Sequence, residues 1–368
     1  MRSSTSSSER LTAADRPGVA QPVPVRPVPE QPWLAIVVCA FALLMASVGG
    51  WEAYWRAQGA VPGFHDDEAL WSIQRRRIDA GDGDATVLVG ASRTFFDLQL
   101  PVWEKLGGRR PIQLALDGTS PLFAIEDLAD DPHFTGRLVI GIAPDIYFTG
   151  FEYMKSVKDY VRKESPSQRI GKWLSMRLVE PWFAYYDPDY ALFTVFRRQP
   201  WPERPGAPNG LRVRKLSVTD ADRNNHMWHR LETDAGYAAL MQRTWAEDFE
   251  LSADDLAQAH QTQEAQIART VTAVDKLRAR GVPVVFVRDP SVGEFLAYED
   301  RYFPRETTWD VLLRATRAPG IHFQDHPELQ QGYVLPEWSH MTTESAQRYT
   351  AALYAIIERE VSSAPGRW

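Results

Sequence analysis

One stretch of the chain has no polar face. From Trp33 to Trp51 it runs WLAIVVCAFALLMASVGGW without a charged residue. Nineteen residues at about 1.5 Å each span roughly 28 Å, close to the thickness of a hydrocarbon core. Buried core helices are usually amphipathic, so an apolar surface all round predicts a membrane span instead. Trp33 at one end and Trp51, Tyr54 and Trp55 at the other suit interfacial belts. A cleaved signal peptide fits less well, because the leader is long and Pro-rich and no small-x-small site precedes Trp51. The pattern reads as an uncleaved signal anchor over residues 33–54.

After a connector at 55–85, short apolar runs alternate with helical periodicity. Thr86–Gly90, Ile112–Leu116 and Leu138–Ile142 read as strands, separated by helix-like stretches around Leu98–Leu106 and Pro121–Asp130. The pattern breaks near Tyr147 and resumes near Ser252, where Ser252 with Asp255 resembles a helix cap. Ile267, Val271, Val274 and Leu277 form one helical stripe, which Gly281 and Pro283 stop. Val284–Val287 and Ile321–Phe323 read as the fourth and fifth strands, and an amphipathic helix from about Thr342 to Val361 closes the chain. Strand–helix alternation of this kind predicts an α/β domain over 86–368, with a parallel five-stranded sheet covered by helices on both faces. The region of about 147–251 is an insertion rich in aromatics, among them Trp173, Trp182, Phe183, Tyr186, Tyr190, Phe193, Trp201 and Trp228. Such residues are expected to pack, to stack on sugar rings, or to rest near a membrane.

Composition narrows the class. Residues 1–32 carry five serines within Ser3–Ser8 and a series of prolines, and cannot bury enough apolar surface to fold. Arg2, Arg10, Arg16 and Arg26 precede the apolar span, while Glu52, Asp66, Asp67 and Glu68 follow it. The positive-inside rule then predicts a disordered cytoplasmic tail and a domain on the far side of the inner membrane, the periplasm in a Gram-negative cell. A net charge of −7 argues against a generic nucleic-acid binder. The one cysteine, Cys39, excludes an internal disulfide and a Cys-cluster metal site. His322 and His326 have metal-like spacing but lack a third ligand, so no metal site is expected.

In an open α/β sheet, ligands bind beyond the carboxyl ends of the strands. Those ends carry Ser92, Gly118, Asp145, the pair Arg288 and Asp289, and the loop residues Glu337 and His340. A serine, a histidine and an acid on one rim are what a nucleophilic hydrolase needs. Ser92 can attack once a neutral His340 takes its proton. Glu337, three residues before His340, can turn back to the other ring nitrogen and fix its tautomer. Backbone N–H groups of Ser92 and Gly118 can face the developing oxyanion, each such donor being worth about 3 kcal/mol.

These motifs resemble the blocks of the SGNH (GDSL-like) hydrolases. Gly90-Ala91-Ser92 is similar to the nucleophile block, Gly118 in Leu-Asp-Gly-Thr-Ser-Pro to the second block, and Glu337-Trp338-Ser339-His340 to the final acid-x-x-His block. The resemblance covers about Thr86–Asp145 and Val271–Glu360, and is nearest to membrane-anchored, periplasmic members associated with O-acetylation of envelope polysaccharides. It implies a flavodoxin-like (SGNH) fold, a serine esterase or O-acyltransferase activity, and no metal or organic cofactor. An ester or polysaccharide substrate is implied, and a membrane acyl-donor protein in the transferase case. Two departures stand out. The family commonly has Asp where this chain has Glu337, and its third block carries an Asn where this chain reads Gly141-Ile142-Ala143-Pro144-Asp145. The third oxyanion donor is therefore expected to be missing or supplied elsewhere, for example by Ser120 or Asn225. Arg93 is expected either to bind a polysaccharide carboxylate or to form a surface salt bridge, and Asp145 to contact substrate. A non-catalytic scaffold of the same fold, or a lipid esterase, are the alternative expectations.

Overall fold

A computed structural model describes residues 30–198 and 215–361. The tail expected at 1–32 lies almost wholly outside the described residues, as does Trp201 of the insertion. The chain divides into two compact units, 1–50 and 51–368. In the first, the described chain is almost all helix, the beginning of α1 (Trp33–Ala57). That helix is long and apolar enough to cross a membrane. Its two charged residues, Glu52 and Arg56, fall after Gly50 and belong to the second unit.

The second unit is α/β. Its strands are β1 (Thr86–Val89), β2 (Ile112–Gln113), β3 (Arg137–Gly141), β4 (Ser217–Thr219), β5 (Asn225–Met227), β6 (Val284–Arg288) and β7 (Gly320–His322). Five of them make one all-parallel sheet in the order β2-β1-β3-β6-β7, while β4 and β5 form a small antiparallel pair. Register follows the apolar runs: Val87 faces Leu138, and Val139 faces Val285. Each strand alternates its burial between two cores, so the sheet needs cover on both faces. Val87, Val89, Leu138, Ile140 and Phe286 enter one core, and Leu88, Val139, Val285 and Val287 the other.

The helices supply that cover. On one side lie α2 (Glu68–Arg77), α5 (Leu122–Asp130), α12 (Ala253–Ala279) and α14 (Trp309–Thr316). On the other lie α4 (Leu100–Gly107) and the closing α16 (Thr343–Glu360). The remaining helices are α3 (Ser92–Asp97), α6 (Pro144–Thr149), α7 (Val157–Lys163), α8 (Pro166–Leu178), α9 (Leu192–Arg197), α10 (His229–Thr233), α11 (Ala235–Ala246), α13 (Gly293–Tyr302) and α15 (Pro327–Gln330). The Ser252–Asp255 cap forms as a reciprocal box at the start of α12. The 55–85 segment, expected as a connector, carries α2, whose Trp71 is buried with Ile78 in the first core.

Strand β2, at one edge of the sheet, is shorter than its apolar run. The pairing nonetheless continues past it, Leu114 N–H donating to Leu88 O and Leu116 N–H to Gly90 O. The outer edge is closed by Arg223 of the insertion. Its fully buried guanidinium donates to Gln113 O and Ala115 O and pairs with Asp66 at 2.6 Å. Covering an edge removes a template for unwanted strand pairing.

Candidate active site

The chain order places β3 and β2 on opposite sides of β1, so the crevice beyond the carboxyl ends of β1 and β3 is the topological switch point of the sheet. Ser92 begins α3 there, after an extended Ala91. As the first residue of a helix, Ser92 has an N–H without an intrahelical acceptor. All the following residues of α3, Arg93 through Asp97, are buried, whereas Ser92 is only half-buried. Thr94 fixes the helix by donating to Asp289 Oδ2 at 3.0 Å, and Tyr349 of α16 donates to the other oxygen at 2.9 Å. Gly141 at the end of β3 is required by this arrangement, since a Cβ would collide with the Thr94 hydroxyl.

His340 comes from the loop before α16. Its Nδ1 lies 3.0 Å from Glu337 Oε1, and its backbone N–H donates to the same oxygen at 2.5 Å. The second oxygen of Glu337 accepts from the Trp245 indole at 2.6 Å. Burial alone would raise the Glu337 carboxyl, but His340 and these hydrogen bonds outweigh it and hold the pKa below the ordinary value. An ionised Glu337 can only accept, so His340 Nδ1 carries a proton and donates it to the carboxylate. Nε2 is buried without a hydrogen-bond partner. The ring stacks on Phe96, with centroids 4.3 Å apart. Trp338, inside the loop, has a φ of 74°, backbone strain of a kind that concentrates at functional sites. The loop is tied to α3 by Asp97, whose Oδ1 accepts from Met341 N–H at 2.9 Å.

Ser92, Gly118, Asp117, Asp145 and His340 line one cavity of about 200 Å³, together with Arg93, Phe96, Phe151, Leu216, Trp245 and Phe295. The Ser92 hydroxyl is not hydrogen-bonded to His340 Nε2. Gly118 has a φ of 51° and would bring a Cβ to 3.3 Å from the Tyr153 Cβ, so glycine suits this turn.

Arg93 needs correcting. It is buried rather than at the surface, donating to Glu299 at 2.7 Å and Ser339 at 3.1 Å, with its guanidinium 4.8 Å from the Phe295 ring centre. Glu299 also receives Arg288 at 2.7 Å and the Ser291 hydroxyl at 2.5 Å. Arg93 reaches the cavity wall, but its charge is answered by Glu299. Arg288 and Asp289 are likewise committed to structural bonds. The substitute donors also need correcting. Ser120 accepts from Gln266, Asn225 accepts from Thr219, and neither lines the cavity, while Ala143 does.

Asp145 does face the cavity. Burial and the neighbouring Glu299 push its carboxyl up to about 6, against the pull of Arg93 and Arg288. Asp117, which the sequence reading passed over, is raised to about 6 by burial and Asp66, with His340 and Arg223 opposing. Trp245 and Phe96 were missed as site residues too, since aromatic residues in an insertion or a short helix carry no local mark of touching a histidine. Among the described residues, Asp79, Asp131 and His133 bring possible metal-ligand atoms within 4.8 Å of one another. Asp131 there already accepts from Arg75 and from His133, which makes the group a surface ion-pair cluster. No protein-family model matches the chain, and no curated protein matches it.

Proposed function

We propose that the protein is an SGNH-type serine esterase or O-acyltransferase working through a Ser92 acyl-enzyme. The observation that carries this reading is His340: Nδ1 is held by an ionised Glu337, while Nε2 waits without a partner in the cavity that Ser92 lines. Ser92 Oγ attacks the ester carbonyl and its proton passes to Nε2. The oxyanion is met by the N–H groups of Ser92 and Gly118. The leaving alkoxide takes the proton from His340, and the acyl group stays on Ser92. Water, or a sugar hydroxyl, then gives its proton to His340 as it attacks the acyl carbon, and His340 passes that proton to the departing Ser92 Oγ, which frees the acyl group and restores both residues. This chemistry needs no metal or organic cofactor. The proposed substrate is an O-acetyl or similar ester on envelope polysaccharide. The proposed setting is a single-pass inner-membrane protein, N-terminus in the cytoplasm and domain in the periplasm, with a membrane acyl-donor protein as partner in the transferase case.

The test is fluorophosphonate labelling of the full chain in detergent. Wild type should label, and Ser92→Ala and His340→Ala should not. Absence of labelling in a folded wild-type protein would overturn the proposal. It would favour a second reading, a scaffold of the same fold, which the alanine at position 143 in place of a third oxyanion donor already supports.

A further inference from the structure

Helix α8 is built inside out. Its inward side carries Lys172, buried and bonded to His65 O at 2.9 Å and to the Asp67 and Glu180 carboxylates. Glu180, also buried, accepts from His65 N–H at 3.0 Å and Ser175 at 2.7 Å. The outward side carries Ile170, Trp173, Leu174 and Leu178, a helical i, i+3, i+4, i+8 stripe, all exposed. Beyond the helix, Trp182, 65% exposed, donates to Arg177 O at 3.2 Å, and Phe193 of α9 is 73% exposed. A water-facing protein rarely shows so many large apolar side chains together, so this face marks an interaction surface.

What covers it follows from where it is fastened. Arg56 donates to Trp182 O at 2.8 Å, Glu52 accepts from Ala184 and Tyr185 N–H at 2.9 and 2.8 Å, and the Trp51 indole donates to Tyr190 O at 3.2 Å. These anchoring residues follow directly on the apolar segment of α1. If that segment fills the hydrocarbon core and ends at Trp51, Arg56 stands about 8 Å further along the helix. The polar interfacial layer is itself roughly 5–8 Å deep on each side of the core. Residues 182–190 are bonded to the turns of α1 that directly follow its apolar segment. Arg177, stacked 4.5 Å from the Trp173 ring, adds a cation of the sort that sits beside tryptophan at that depth.

We infer that the outward face of α8, with Trp182 and Phe193, inserts into the headgroup region of the same bilayer, making a second, interfacial attachment of the domain. The ligand is a phospholipid surface. An inverted amphipathic helix with tryptophan and arginine on its apolar side is suited to lie in that plane, its apolar face entering by about 5–10 Å. The inference rests on α1 as a membrane span and is independent of the catalytic reading.

The experiment uses the full chain with Cys39→Ser, reconstituted in vesicles of phosphatidylcholine and phosphatidylglycerol. Leu178→Cys and Phe193→Cys report on the face, and Asp254→Cys, exposed at the start of α12, is the control. Each is labelled with an environment-sensitive fluorophore and challenged with lipids carrying a nitroxide near the headgroup. The two face labels should emit at shorter wavelength than the control and be quenched several-fold more strongly. Water-like emission equal to the control would overturn the inference. So would labels shielded from water but untouched by lipid nitroxide, the result expected if a second copy or another protein covers the face. If the labelled variants fail to reconstitute, quenching of tryptophan emission by brominated lipid replaces them. It should be smaller in a Trp173→Phe/Trp182→Phe variant than in wild type, and equal quenching would overturn the inference.

Discussion

Trp245 and Glu337, 92 residues apart in sequence, meet at 2.6 Å, the indole N–H donating to the carboxylate oxygen that His340 does not use. The insertion thereby helps hold the acid of the candidate triad. Trp245→Phe keeps the ring and removes the bond, so fluorophosphonate labelling should slow by about tenfold, the value of one hydrogen bond to a charged group. The same loss lets the Glu337 carboxyl rise, so the acid limb of the pH–rate profile should move to higher pH. A profile unchanged in rate and shape would show that the indole only fills space.

Glu337→Gln should do more. A neutral amide can present its donor to Nδ1 and favour the opposite tautomer, which puts the proton on Nε2. Labelling should fall by up to about 10⁴-fold, as when the acid of a triad is replaced by its amide, while thermal stability changes far less. Comparable labelling by wild type and the amide variant would remove His340 from the role of base.

Burying the Arg93–Glu299–Arg288 group makes it a stability device, and its members should not be equivalent. Arg93→Ala leaves Glu299 paired with Arg288, whereas Glu299→Ala strands two guanidiniums. Breaking a buried pair costs about 3–5 kcal/mol. Glu299→Ala should lie at or beyond the upper end and lower the denaturant midpoint more than Arg93→Ala. Equal midpoints would mean that water reaches the cluster.

Asp145 makes a prediction about pH. Its folded pKa of about 6 is above the ordinary aspartate value of 3.8, so the folded protein keeps a proton that the unfolded chain has given up between those values. Stability from this group is present below about pH 4 and is lost as pH rises through about 6. Asp145→Asn should therefore raise the unfolding temperature at pH 7.5, with the gain shrinking below pH 5. A gain of equal size at both pH values would rule out titration of this carboxyl as its cause.

The cavity also limits the acyl group. Its volume of about 200 Å³ is only modestly above the 150 Å³ that holds a benzene ring in an engineered protein cavity. Its lining is mostly apolar, with Phe96, Phe151, Leu216, Trp245 and Phe295. Across p-nitrophenyl esters, turnover should be highest from acetyl to about hexanoyl and drop steeply at palmitoyl. A maximum at palmitoyl would point to a lipid esterase.

The sheet was legible because burial on both faces leaves nearly continuous apolar runs, and all five parallel strands overlap those runs. Only β2 differs, pairing on one side over two residues. Ser92, Gly118 and His340 were legible because strand ends in such a sheet converge on one crevice. Arg93 was not. An arginine beside a half-buried serine looks solvated until α13 brings Glu299 across it, a contact 206 residues away in sequence. Asp117, Phe96 and Trp245 were hidden for the same reason: their roles depend on long-range packing that no local spacing encodes.

The fastening of Trp51, Glu52 and Trp55 has a practical consequence. Trp55 packs with Ala60, Ala184 and Tyr190 in a small core of its own, and Glu52 caps the backbone at Ala184 and Tyr185. The final turns of α1 are thus part of the folded body and not a leash that can be trimmed. A shortened version that begins after Ala57 starts life with a less covered Tyr190 and two uncapped amides, and a protease that cuts between 51 and 57 would damage the folded body.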